Sequence, residues 1–153
     1  MNIPELLQQL HRGEPRSIGR AISLVEDQDP ATAEILAGLD KSRIKQSLIL
    51  GITGPPGAGK STLTAGLIQQ LREQNQRIGI VAIDPSSPIS GGAILGDRIR
   101  MMSHALDTDV VVRSMATRGR LGGLCASAGA AVRIMAASGC NKIIIETVGV
   151  GQT

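Results

Sequence analysis

Apolar residues recur along this chain in two rhythms, one helical and one extended, and their alternation predicts an α/β fold. Over the first 40 residues the rhythm is helical. Leu6, Leu7 and Leu10 form one stripe, opened by Pro4 and stopped by Gly13. Ile18, Ile22 and Val25 mark a second helix, and Asp29-Pro30 reads as an N-cap and first-turn proline opening a third through Ile35 and Leu39. A polar segment, residues 40–46, then leads into the apolar run SLILGIT at 47–53, which reads as a buried strand. Beyond a glycine-rich interval, Leu63, Leu67, Ile68 and Leu71 return at helical spacing as one face. RIGIVAID (77–84), DVVVRS (109–114) and KIIIETV (142–148) predict three more strands, with helices over about 97–106 and 124–138 between them. Strands separated by helices imply a mainly parallel sheet flanked by helices. Runs such as IVAI and IIIE suit strands covered on both faces. The division this predicts is a short N-terminal helical arm, residues 1–46, ahead of a domain at 47–153.

The interval between the first strand and its helix reads GPPGAGKST, from Gly54 through Pro55, Pro56, Gly57, Ala58, Gly59, Lys60 and Ser61 to Thr62. Strand, glycine-rich turn, Lys-Ser and helix together are the context a phosphate-binding P-loop needs. Glycines without a Cβ let the backbone turn its N–H groups inward, and the following helix aims its positive end at the same place. Lys60 is placed to reach β- and γ-phosphates, and the Ser61 hydroxyl to ligate Mg²⁺. The bland alternative, a glycine-rich turn with a surface lysine, explains neither flank. The domain at 47–153 is therefore read as a P-loop nucleotide-binding domain.

In parallel sheets ligands gather beyond the carboxyl ends of the strands, and three acids fall there: Asp84, Asp97 and Glu146. As ordinary loop acids they would cap helices or turns. Glu146 sits inside an apolar strand, where a carboxylate needs a partner, and Mg²⁺ with its waters is a natural one. Glu146-Thr147-Val148-Gly149 also has the layout of a nucleotide switch, in which the Gly149 amide would sense the γ-phosphate. Asn141-Lys142 resembles the start of a guanine-reading motif, but its fourth residue is Ile144 and it precedes a strand, so it is strand entry.

Composition narrows the rest. With 153 residues the chain can bury a real core, and with no Phe, Tyr or Trp that core is aliphatic. Base stacking is unavailable, which argues against nucleic-acid binding. The net charge of +3 is modest; arginines at 98, 100, 113, 118 and 120 could face phosphates, an acidic partner or simply solvent. Cys125 and Cys140 match no metal spacing and read as small buried residues in a reducing compartment. No apolar run is long enough to cross a membrane, and the first residues lack a secretion pattern, so the expected location is the cytoplasm.

Three longer stretches, DPSSPISGGAILGDRIRM (84–101), RSMATRGRLGG (113–123) and ETVGVGQ (146–152), resemble the MeaB/ArgK family of P-loop GTPases. That resemblance is dense from 50 to 152. It implies GTP and Mg²⁺ as ligands, and a partner, adenosylcobalamin-dependent methylmalonyl-CoA mutase, that the GTPase assists as a chaperone. It further implies that residues 54–62 bind phosphates and that Ser61, Asp84, Asp97 and Glu146 surround the metal and attacking water, with Lys60 beside them. Full-length relatives of this kind are homodimeric and about twice as long, so the expectation is a fragment or half of a split protein, its sheet incomplete. Two other readings stay open on the residues alone: a non-catalytic interaction module, and a small-molecule P-loop kinase.

Overall fold

The computed structural model describes residues 2–54, 59–84, 107–116 and 121–147, apart from the side chains of Ser61, Asp84 and residues 121–125. Four short helices come first: α1 (Ile3–His11), α2 (Pro15–Glu26), α3 (Thr32–Ala37) and α4 (Lys41–Gln46). Then follow β1 (Leu48–Ile52), α5 (Lys60–Glu73), β2 (Ile78–Asp84), β3 (Val110–Ala116), α6 (Leu121–Ala137) and β4 (Lys142–Thr147). The expected helix near 97–106 lies outside the described residues.

Local chemistry explains the helix starts. The Asn2 side chain accepts from the Glu5 amide at 3.0 Å, with Pro4 in the first turn of α1. Asp29 does not cap α3 directly; its side chain accepts from the Ala31 amide at 2.8 Å, a local turn that delays the helix to Thr32. The polar segment after it is a helix rather than a linker. Asp40 caps α4 by accepting from the Arg43 amide at 3.2 Å.

Among the described residues the sheet has four strands, all parallel, in the order β1-β4-β2-β3. Period-two alternation sorts its side chains onto two faces. On one face Ile78, Ile80 and Ala82 of β2, Ile144 of β4, and Val110 and Val112 of β3 pack with Leu67, Ile68 and Leu71 of α5. On the other, Val81, Met115 and Ile143 join the buried side of α6 and the apolar stripes of α1, α2 and α3. Leu10, Ile18, Ile22 and Ile35 are fully buried in that second cluster, so the N-terminal helices share one core with the sheet. The small residues of α6, among them Ala128, Ala131 and Ala136, let those helices approach closely.

Two expectations need correction. β1 is not a buried strand: Leu48, Ile49 and Leu50 are 59%, 50% and 43% exposed, and only Ile52 is buried. Among the described residues β1 lies at the edge of the sheet, paired with β4 alone, while α5 packs over β2, β3 and β4 and meets β1 at Ile52. Leu63 likewise is 60% exposed and does not join the α5 stripe. The buried line runs instead through Thr64, Ile68 and Leu71, at i, i+4 and i+7, which turns Leu63 aside.

Arginine side chains fasten the layers at the end of the sheet remote from the strand tips. Arg43 Nη1 donates to the carbonyls of His11 (2.7 Å) and Ala137 (2.8 Å), the last residues of α1 and α6. Arg77 Nη1 donates to the Ser138 carbonyl at 3.1 Å, and its Nη2 to the Gly13 carbonyl at 2.9 Å. Helix ends leave carbonyls without intrahelical donors, and these two guanidinium groups supply some. Gly13 has φ +82°, and a Cβ there would collide with the Arg77 guanidinium.

Candidate functional site

The carboxyl ends of β1, β4 and β2 and the amino end of α5 form one corner of the molecule. Chain order requires this: β1 ends at Ile52, and α5 begins at Lys60 after a short connection. Gly59 makes the last turn into the helix at φ +87°, a left-handed conformation that costs a residue with a Cβ about 1 kcal/mol or more. Its carbonyl then accepts the first intrahelical bond, from the Leu63 amide at 3.0 Å. The free N–H groups and positive dipole end of this 14-residue helix therefore face the strand tips.

Lys60 reaches across to β4. Its ammonium donates to the Thr147 carbonyl at 2.6 Å, a short charge-assisted bond. The Thr147 hydroxyl lies 3.2 Å from that of Thr53, one residue beyond β1. Neither threonine was singled out from sequence as a site residue. Their positions beside Gly54 and Glu146 were the available signal, but the contact spans 94 positions and is tertiary.

Glu146 stands opposite Ile52 of β1 and Ala82 of β2, in the middle of the sheet, and is only 3% exposed. A carboxylate at such a place is costly without donors or a cation near it. One position into α5 from the exposed Leu63, Thr64 is fully buried, and its hydroxyl lacks a hydrogen-bond partner among the described residues. Asp84 closes β2, one strand over from Glu146, although its side chain is outside the described set. Residues 55–58, Asp97 and Gly149 lie outside the described residues, as does the side chain of Ser61. Gly54, Gly59, Lys60, Thr62 and Glu146 are within them. Among the described residues no three His, Cys, Asp or Glu gather as a cation site.

Two further sequence expectations resolve away from this corner. Arg113 pairs within the chain; its Nε and Nη2 donate to Glu26 Oε1 at 2.8 and 2.6 Å, and Nη2 also to Ser23 Oγ at 2.9 Å. That pairing ties β3 to α2. The other arginines of that set lie outside the described residues. Cys140 is a free, fully buried thiol, and burial raises its pKa above the ordinary value. Among the described residues no helix is long and apolar enough to cross a membrane.

Residues 18–153 match the profile of the family described as methylmalonyl Co-A mutase-associated GTPase MeaB. The chain belongs to the MeaB family. A Pyrococcus abyssi relative is 48% identical over 150 residues, covering 98% of this chain and 46% of its own length. The GTPase ArgK of Escherichia coli is 36% identical over 154 residues, covering 99% of this chain and 46% of its own. The crystal structure of a LAO/AO transport system kinase superposes with a TM-score of 0.72 at 25% identity, over 99% of this chain and 46% of that one. This MeaB-family chain thus spans about half the length of the relatives it matches, and it has the P-loop fold of a helix-flanked parallel sheet.

Proposed function

We propose that the chain carries the phosphate-binding half of a MeaB-family GTPase, which binds GTP with Mg²⁺ and hydrolyses its γ-phosphate. The single observation that carries the reading is Lys60: a cation at the amino end of α5, turned inward to the strand tips and 2.6 Å from the Thr147 carbonyl. On this reading the amino end of α5, its free main-chain amides and this ammonium would cradle a polyphosphate tail. Family membership supports guanine as the base, and the family's association with methylmalonyl-CoA mutase supports that enzyme as the partner assisted.

The donor set proposed for the metal is Ser61, Asp84, Asp97 and Glu146. Hydroxyl and carboxylate oxygens suit a hard cation such as Mg²⁺, and the buried position of Glu146 fits a role beside a charge. Held by these groups, Mg²⁺ would supply positive charge to offset that of the phosphates. The chain's own work is positioning. Lys60 neutralises charge on the β–γ bridge and the γ-oxygens, and a strand-end carboxylate, the buried Glu146 or else Asp84, orients a water in line with the γ-phosphorus. The water oxygen forms its bond to phosphorus as the bond to the β–γ bridging oxygen breaks. GDP departs with that electron pair, and the water's proton ends on the released phosphate. Gly149 is assigned the role of sensing the γ-phosphate, so that hydrolysis would be reported to the partner.

Phosphate release from GTP, with and without added methylmalonyl-CoA mutase, tests both parts. Release that depends on Lys60 and changes with the mutase supports the reading. Binding of GTP with no release under either condition would leave an interaction module instead.

A further inference from the structure

Lys60 is held at both ends. Its backbone starts α5, and its ammonium is fixed by the Thr147 carbonyl at 2.6 Å. That carbonyl belongs to the last residue of β4, and the Thr147 side chain is in turn tied to Thr53 by the 3.2 Å hydroxyl contact. Three elements meet through these two contacts: α5 through Lys60, β4 through Thr147, and the exit of β1 through Thr53. An ammonium has three N–H donors, and the carbonyl takes one, which leaves two to aim elsewhere. A free lysine stem is rich in rotamers, and ordering it is part of the cost of binding a charged ligand. A lysine already fixed at its tip carries less of that cost.

We propose that Thr147 and Thr53 are a positioning pair for Lys60: the Thr147 carbonyl fixes the ammonium, and the hydroxyl contact fixes the carbonyl. The inference rests on the nucleotide reading and deepens it, by assigning phosphate affinity in part to two residues outside the motif at 54–62. Thr147 is the decisive position, and valine is its near-isostere without the hydroxyl.

Calorimetry on the 153-residue chain with magnesium and GTP, GDP or GMP reads the effect. Thr147→Val is expected to weaken GTP and GDP binding by about two- to tenfold. GMP, which lacks the phosphates Lys60 reaches, should bind the variant and the wild type alike. Thr147→Ser, which keeps the hydroxyl, should restore wild-type affinity. Thr53→Val combined with Thr147→Val should be no weaker than Thr147→Val alone, because both remove the same contact. A Thr147→Val protein that binds GTP as tightly as wild type, or loses GMP affinity equally, would overturn the proposal. A second measurement needs no nucleotide: amide hydrogen exchange at the carboxyl end of β4. Lys60→Ala and Thr53→Val should each speed exchange at Thr147. If folded wild-type protein binds no nucleotide, the functional reading fails, and unchanged exchange in those variants would separately sink the positioning pair.

Discussion

At the residue scale, Lys60 and Glu146 carry different parts of the proposed chemistry, and conservative changes separate them. Lys60→Ala removes a charge-assisted donor, and GTP affinity is expected to fall about tenfold or more, with hydrolysis lost. Glu146→Gln keeps the shape of a buried side chain and removes its charge. Phosphate release should fall about a hundredfold, and a wild-type rate would remove Glu146 from the machinery. His11 gives a stability prediction of its own. Its Nε2 accepts from the Asp40 amide at 3.1 Å, and its pKa lies below the ordinary 6.5, first through burial and then through the Arg43 charge, with Asp40 pulling the other way. A lowered value means the unfolded chain takes the proton more readily. Stability from this contact is therefore intact above pH 6.5 and is lost as pH falls from there through the lowered folded value. Wild type should lose more stability between pH 7 and pH 5 than His11→Gln, whose amide oxygen still accepts but does not titrate. Equal losses in urea unfolding would contradict this. What was legible here was local: the phosphate motif is nine consecutive residues, and its lysine is the first residue of α5. The partnership of Thr147 with Thr53 was not legible, since no local pattern records which hydroxyls meet when β1 and β4 pair.

At the element scale, the arginine staples account for how short helices persist. Helices α3 and α4 are each 6 residues, too short to be stable alone, so their order depends on packing and on bonds from elsewhere. Arg43 links α4 to the ends of both α1 and α6. Arg43→Ala should cost about 1–3 kcal/mol in denaturant unfolding, and a change within error would show that these contacts are ornamental. Arg72 does comparable work for α5, pairing with Asp107 at 2.6 Å ahead of β3. Helix stripes such as Ile18, Ile22 and Val25 were readable because 3.6-residue spacing is intrinsic to the element. Leu63 was misread because Thr64, a polar residue, holds the buried position that spacing alone assigned to a leucine. Helix α4 was missed because its signal is an aspartate cap rather than an apolar stripe.

At the scale of the whole molecule, the exposed strand β1 is the feature composition could not foretell. Seven apolar or small residues in a row read as buried, yet burial depends on what lies beyond the strand's free edge. Leu48 and Leu50 point to the α5 face of the sheet without reaching the helix, which leaves an apolar edge prone to self-association. Replacing both with threonine keeps strand propensity and removes the apolar surface. Sedimentation of the 153-residue chain should show less association, with stability changed by no more than about 1 kcal/mol. A collapse of the fold in that variant would mean β1 is covered in solution. The N-terminal helices present the opposite case. They contribute Leu10, Ile18, Ile22 and Ile35 to the core shared with α6, so the corner holding Lys60 rests on a support built partly from the first 40 residues.

Titration calorimetry of folded 153-residue protein with magnesium and GTP, set beside the same titration of Lys60→Ala, tests the central claim most directly. Saturable heat in the wild type, lost or sharply weakened in Lys60→Ala, is the predicted result. Absence of heat from the folded wild type, or the same affinity in both proteins, would contradict it.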